Sequence, residues 1–304
     1  MENTKIKLIA LVIGALFTAT SSFPQEYNLA YNLKTGDSFN FVTPSEMVMK
    51  MDMMGQDMEI SVKMEFSFAM KTLGFADGAY SLEMVYTRMK MQSDSQFMGS
   101  LSYSTDGSED NGQLAEVGKA MKAIMNVPFT VKVDKYGKLL EVQDLDKLQS
   151  ALAKAIDEDG NPMLHQMIEQ QFSEKQNIEN LQTLLLEYPA RPLKIGDAWE
   201  IEKEGSANGL NMKIKSVQTL TAVENGIAVI SVASLIDSQE SAIKTPQGDV
   251  NATLSGNIEG TIRASLENGM VQTSQSLMNM DVKTNFGGMD MNQKLTVKSE
   301  VRRQ

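Results

Sequence analysis

The stretch DMEISVKMEFSFAMK, residues 57–71, alternates apolar and polar side chains almost without error. Glu59, Lys63 and Glu65 are among the polar residues that separate its apolar positions. Because side chains alternate between the two faces of a β-strand, this period of two predicts a long strand with one dry and one wet face. The apolar positions are Met58, Ile60, Val62, Met64, Phe66, Phe68 and Met70.

The same period occurs just before this stretch and throughout the last third of the chain. Met47, Met49 and Met51 alternate around Lys50, and Met278 and Met280 belong to another such run. Several runs are longer than the strand of about five or six residues that is typical of globular proteins. Because long strands twist and coil, we expect a strongly curved antiparallel sheet. Met89 and Met91 change parity, which predicts a bulge near residue 88.

The middle of the chain has helical periodicity instead. Apolar residues recur at a spacing of three and four over 113–126 and 144–157, and Pro162 and Ser173 begin further segments of this kind. A sheet with one dry face and helices with one dry face each pack together most simply as two layers. The predicted fold is therefore α+β and β-dominated. It is a long-stranded, curved, half-barrel-like antiparallel sheet with amphipathic helices packed on its concave face.

The first 22 residues have the pattern of a secretory signal peptide. Lys5 and Lys7 precede a short apolar stretch and a tail of small residues, and cleavage is expected near Ser21–Phe23. The apolar stretch has about half of the roughly 20 residues that a spanning helix needs. We therefore predict a mature protein that is periplasmic or secreted and does not span a membrane.

Two short motifs repeat each other at a distance. LKTGDSF, residues 33–39, resembles LKIGDAW, residues 193–199. In each motif glycine provides backbone freedom for a tight turn, aspartate provides a local side-chain hydrogen bond, and the aromatic residue anchors the strand that follows. We predict one domain, 23–304, of two degenerate β-rich halves, 23–143 and 190–304, joined by a helical segment, 144–188. The predicted structural turn residues are Gly36, Asp37, Phe39, Gly196, Asp197 and Trp199.

These motifs also carry a family resemblance. An LKxGDxW motif after a helical stretch, Met-rich alternating strands and a signal peptide resemble an exported bacterial family of unknown function. The resemblance spans most of the mature chain, and its motif is structural, so it implies no catalytic residues. At the level of fold alone, a curved sheet on helices is similar to periplasmic lipoprotein carriers.

Composition excludes several kinds of chemistry. The 304 residues include no cysteine and one histidine, His165, so a disulfide, a thiol nucleophile and a histidine-cluster metal centre within one chain are excluded. The net charge of −11 argues against a nucleic-acid partner. An acidic run at 157–161 lacks the calcium-loop pattern, because Pro162 and Ile168 stand where glycine and glutamate are needed. We expect no enzymatic activity, no metal and no cofactor.

The 23 methionines allow three interpretations. They could bind Cu(I), they could form a deformable apolar binding surface, or they could fill the space between sheet and helices. The chain is expected to be an exported, non-enzymatic protein that binds a lipid-like apolar ligand or an apolar partner segment in the cell envelope. The alternative is a structural or assembly-associated envelope protein without a small ligand. The predicted ligand-binding residues are Met49, Met51, Met58, Ile60, Val62, Met64, Phe66, Phe68, Met278 and Met280.

Overall fold

The structure is a computed structural model that describes residues 25–53, 56–95, 99–107, 115–155, 185–207, 210–238, 241–245, 248–286 and 289–304. The predicted signal peptide and its cleavage site near Ser21–Phe23 lie outside these residues. So do residues 156–184, which hold most of the predicted helical segment, and the predicted turn at 287–288.

Long strands dominate the described part of the chain, as the period of two predicts. Several of them have 15 residues or more, and β2 has 21. In chain order the strands are β1 (Ser38–Met53), β2 (Gln56–Ala76), β3 (Ala79–Ser95), β4 (Gly99–Ser104), β5 (Phe129–Asp134), β6 (Leu139–Gln143), β7 (Ala198–Ala207), β8 (Leu210–Glu224), β9 (Ile227–Ser238), β10 (Ser241–Thr245), β11 (Gly248–Ser265), β12 (Val271–Phe286) and β13 (Met289–Arg303). Two helices are described, α1 (Ala115–Ile124) and α2 (Leu145–Ala155).

All thirteen strands form one antiparallel sheet. Its order is β6-β5-β3-β2-β1-β13-β12-β11-β9-β8-β7, with β4 paired to β3 and β10 paired to β11. The first and last long strands, β1 and β13, lie side by side at its centre. The sheet is not closed, because β6 and β7 form its two edges. The predicted β-dominated, long-stranded antiparallel sheet is confirmed.

A β-bulge offsets β3 against β2 where the sequence changes parity. Ser67 pairs with Arg88, whereas Phe68 pairs with Tyr86, so Thr87 is the extra residue. The bulge predicted near residue 88 is confirmed. It brings Met89 and Met91 onto the same face of the sheet as Phe66 and Met64.

The two helices pack against each other and against one part of the sheet. α1 contacts β4, and α2 contacts β5. Their apolar stripes, which include Met121, Ile124, Leu148 and Leu152, are buried in a core shared with the strands. Both helices fall within the predicted ranges 113–126 and 144–157. Their position on the concave face of the sheet stays a prediction.

The two Gly-Asp motifs make the same turn with the same hydrogen bonds. In the first, Gly36 N donates to Thr72 O at 2.8 Å, and Lys34 N donates to the Asp37 carboxylate at 2.8 Å. In the second, Gly196 N donates to Leu220 O at 2.7 Å. Both glycines have positive φ, 93° and 96°, which favours glycine because it has no Cβ.

The second turn shows why its aspartate matters. Lys194 N donates to the Asp197 carboxylate at 3.0 Å, and Arg191 lies 3.2 Å from the same oxygen. This backbone hydrogen bond, followed by the neighbouring Arg191 guanidinium, lowers the pKa of Asp197. The aromatic residues that end the motifs, Phe39 and Trp199, are both buried, and the Trp199 indole donates to Glu187 O at 3.2 Å. The division of the domain into two halves stays a prediction.

Two buried tyrosines tie remote segments together at one end of the sheet. The rings of Tyr31 and Tyr188 lie 5.8 Å apart in an edge-to-face arrangement. Leu186 N donates to the Tyr31 hydroxyl at 3.2 Å, and the Tyr188 hydroxyl donates to Gly269 O at 2.6 Å. Tyr80 joins them by donating to Tyr31 O at 3.1 Å. The core at this end therefore depends on contacts between segments more than 150 residues apart in the chain.

Candidate functional site

The sheet has an apolar face, here called the methionine face, and an opposite charged face. Residues that pair across antiparallel strands point to the same face. Val62, Met47, Val297, Met278 and Ile258 form one continuous cross-strand row on the methionine face. A second row alongside it is Ile60, Met49, Leu295, Met280 and Gly256.

The structure brings all ten predicted ligand-binding residues onto this methionine face. The C-terminal pair, Met278 and Met280, lies across β13 from Met47 and Met49 of β1. Met51 of β1 pairs directly with Met58 of the adjacent strand β2. Residues more than 200 positions apart in the sequence therefore share one apolar surface.

Most of this predicted surface is only partly covered by the described residues. Val62 and Phe68 are buried, at 7% and 6% exposure. The other eight are half-buried, namely Met49, Met51, Met58, Ile60, Met64, Phe66, Met278 and Met280. An apolar face that keeps this exposure differs from an ordinary core, where methionines such as Met70 and Met84 are 2% exposed.

Two separate cores lie on the methionine face. The larger includes Phe41, Phe68 and Ile230 at the end of the sheet that holds the tyrosines. The smaller is built on Leu210, Ile236, Ala252 and Leu254, with Met278 and Met280 packed against it. A cavity inside the larger core measures about 20 Å³, which is room for a water molecule but not for a ligand.

A row of small residues runs between the two cores. Each residue of this row pairs with the next one on the adjacent strand, from β1 through β13 and β12 to β11. The residues are Ser45, Ser299, Ser276 and Gly260. A Cβ on Gly260 would lie 2.7 Å from Gln275 O, closer than real Cβ contacts. The strands approach each other so closely here that only glycine fits at this position.

Along this row of residues the charged face forms a hollow of about 1020 Å³. Six neighbouring strands line this hollow, and each strand contributes three consecutive residues. The first and third belong to the charged face, and the middle one belongs to the methionine face. From β1, for example, Pro44 and Glu46 flank Ser45. The hollow therefore lies on the charged face. Its volume is in the range of small-molecule sites.

A second hollow, of about 570 Å³, adjoins the first and shares Glu65 with it. Arg88 and Arg302 lie at its two sides, with Val42 and Ser67 paired between them. Arg88 contacts Asp106 at 2.9 Å and Glu65 at 3.5 Å. Arg302 contacts Glu300 through its Nε at 3.5 Å.

Sequence patterns did not indicate these hollows. The close strand approach at Gly256 and Gly260 leaves one signal in the sequence, which is glycine at two apolar positions of one strand. Among the described residues no group of three or more Asp, Glu or His side chains is placed to hold a metal ion. His165 lies outside them.

The fold and its two faces define a class, a β-dominated protein built on one large antiparallel sheet. The family of unknown function DUF6263 matches residues 77–271, and the chain belongs to this family. No curated protein matches the sequence. No helix among the described residues is both long enough and apolar enough to cross a membrane.

Solved structures with a similar arrangement are distant. The crystal structure of Pseudomonas aeruginosa OccK2 (OpdF) in complex with glucuronate is 7% identical, with 89% of this chain and 100% of that chain covered and a TM-score of 0.23. A crystal structure of OccK2 (OpdF) itself is 6% identical, with 88% and 98% covered and the same TM-score. At that TM-score the likeness carries no argument about this chain.

Proposed function

We propose that the protein is an exported, non-enzymatic binding protein that holds a lipid-like apolar ligand, or an apolar segment of a partner, on its methionine face in the cell envelope. One observation carries the proposal, the half-burial of eight of the ten predicted ligand-binding residues. Continuous apolar surface that stays accessible to water is typical of interaction sites.

Methionine suits such a surface for a physical reason. Its side chain is unbranched and polarizable, so a row of methionines adapts to guests of different shape. Met47, Met49 and Met51 on β1, with Met278 and Met280 on β12, supply this property across three adjacent strands. The cavity inside the larger core measures only about 20 Å³, which supports a guest on the face and not inside that core.

Charge placed on the methionine face should weaken binding of a neutral apolar probe. We expect Met49→Lys and Met280→Lys each to raise the Kd for the neutral dye Nile red about tenfold, because a lysine ammonium resists burial under an apolar guest. Dye fluorescence titration of the purified protein measures this. Val48→Lys is the matched control, since it adds the same charge to the neighbouring β1 position on the opposite face.

Met49→Leu should keep the affinity, which shows that apolarity and not sulfur chemistry is needed. Equal affinity in wild type, Met49→Lys and Val48→Lys would contradict the proposal. Native mass spectrometry of protein purified from its own envelope, followed by lipid extraction, then identifies the guest. If no apolar molecule co-purifies and none binds on titration, the alternative of a structural envelope protein without a small ligand is favoured.

A further inference from the structure

We infer that the paired hollows on the charged face bind a phosphate-bearing molecule. This site is separate from the proposed one, because it lies on the opposite face of the same strands. The first observation is charge. On the charged face the linings of the two hollows hold five cationic side chains and four carboxylates, although the whole chain has a net charge of −11. A positive lining on an acidic protein is complementary to an anion.

The second observation is where these charges lie. Arg88 and Lys90 are on β3, and Arg302 and Lys298 are on β13, so the four cations flank the two strands between them. The backbones of β3 and β13 are about 14 Å apart along the sheet, since strands are spaced about 4.8 Å. Long side chains from β3 and from β13 can therefore reach one anionic group held over β1 and β2.

The third observation is which charges are already neutralised. Glu46, between the flanking strands, lies 3.7 Å from Lys63, and Glu65 lies 3.5 Å from Arg88. Lys90 and Lys298 form no ion pair with any residue that the structure describes. Arg302, which lines the smaller hollow, contacts Glu300 through its Nε at 3.5 Å.

These donors match the chemistry of a phosphate group. A guanidinium presents a planar fork of N–H donors, an ammonium adds a point charge, and both form strong charge-assisted hydrogen bonds to phosphate oxygens. Ser67 and Thr87 place hydroxyl groups in the same smaller hollow. Leu277, 38% exposed on the wall of the larger hollow, offers an apolar contact for the rest of the molecule.

Calorimetric titration of the full mature chain with inorganic phosphate tests the site at low ionic strength. We expect Lys90→Gln and Arg302→Gln each to raise the Kd about tenfold. Lys215→Gln should leave it unchanged, because Lys215 lies on the charged face of β8, outside both hollows. Glu300→Gln should lower the Kd about fivefold, since it removes the carboxylate that competes for Arg302.

The gain expected for Glu300→Gln cannot be produced by a misfolded variant. Co-sedimentation with phosphatidylglycerol vesicles, compared with phosphatidylcholine vesicles, separates a lipid headgroup from a free phosphate compound, and either result supports the site. Two outcomes overturn it: no binding of either probe by wild type, or equal effects of Lys90→Gln, Arg302→Gln and Lys215→Gln. Nile red binding on the methionine face should be the same in all four variants, so the two proposals fail independently.

Discussion

Replacing Gly269 by alanine should lower the free energy of unfolding by about 2 to 5 kcal/mol. Gly269 has φ of 73°, a left-handed conformation that costs an alanine about 1 to 2 kcal/mol. An added Cβ would also lie 2.7 Å from the carbonyl carbon of Ala30 and 2.9 Å from Tyr31 Cα. These are backbone atoms, so no side-chain rotation relieves the contact, and the segment that carries Tyr31 must move.

Gly226→Ala is a control with nearly the same local geometry. Gly226 also follows an asparagine in a hairpin turn and has φ of 77°, but no atom lies within 4 Å of its added Cβ. It should therefore cost only the conformational penalty of about 1 to 2 kcal/mol. Urea unfolding of both variants at neutral pH gives the comparison. A loss for Gly269→Ala no greater than that for Gly226→Ala would show that the close approach to Ala30 and Tyr31 does not stabilise the fold.

Sequence patterning predicts the local parts of this fold well, because each is encoded by neighbouring residues. The alternation over 57–71 predicts β2 and its two faces, and the parity change at Met89 predicts the bulge at Thr87. The matched hydrogen bonds of Gly36 and Gly196 occur at the two motifs singled out for their sequence likeness.

The long-range parts have no such local signal. Nothing in the sequence of β1 specifies β13 as its partner, although this pairing joins the first and last long strands of the chain at the centre of the sheet and sets Met49 beside Leu295. The meeting of Tyr31 and Tyr188 likewise needs the whole sheet to be in place. The larger hollow joins residues of six strands, and alternation within one strand does not say which strands lie side by side.

This also explains why the candidate sites were only partly predictable. Alternation along a strand identifies which residues share the methionine face, so the ten predicted ligand-binding residues lie together on it. Parity alone does not say how deeply each residue is covered, and Val62 and Phe68 are buried where Met49 and Met280 are not. Residues of the charged face, such as Lys90 and Arg302, look like ordinary solvated strand positions until the order of the strands places them around two adjoining hollows.

The protein should lose stability steeply in alkali because of its two central tyrosines. Burial raises the pKa of both Tyr31 and Tyr188 above the ordinary value of 10.0. Below about pH 10 the two hydroxyls are protonated in both the folded and the unfolded state, so the tyrosines add no pH dependence. Above about pH 10 the unfolded chain releases protons that the folded chain keeps. The free energy of unfolding therefore falls as the pH rises.

The size of this effect follows from proton linkage. Each tyrosine contributes about 1.4 kcal/mol for each pH unit between its unfolded and folded pKa, so the pair contributes about 3 kcal/mol per unit. Urea unfolding in steps from neutral pH to about pH 11 measures the slope. Tyrosinate absorbance, followed in parallel, should show both groups ionising together with unfolding and not before it.

Tyr188→Phe separates this linkage from the loss of a hydrogen bond. At neutral pH the variant should be about 1 to 2 kcal/mol less stable, because Gly269 O loses the donor that lies 2.6 Å away. Above about pH 10 its stability should fall less steeply than that of the wild type, by about 1.4 kcal/mol per pH unit, since Tyr188 no longer titrates on unfolding. Tyr31→Phe should behave in the same way, with Leu186 N left without its acceptor. The other titratable groups are the same in all three proteins, so they cancel from the comparison. Identical alkaline slopes in wild type and both variants would mean that the two hydroxyls ionise within the folded protein, and the close contact of Tyr31, Tyr188 and Gly269 would then have to be open to water.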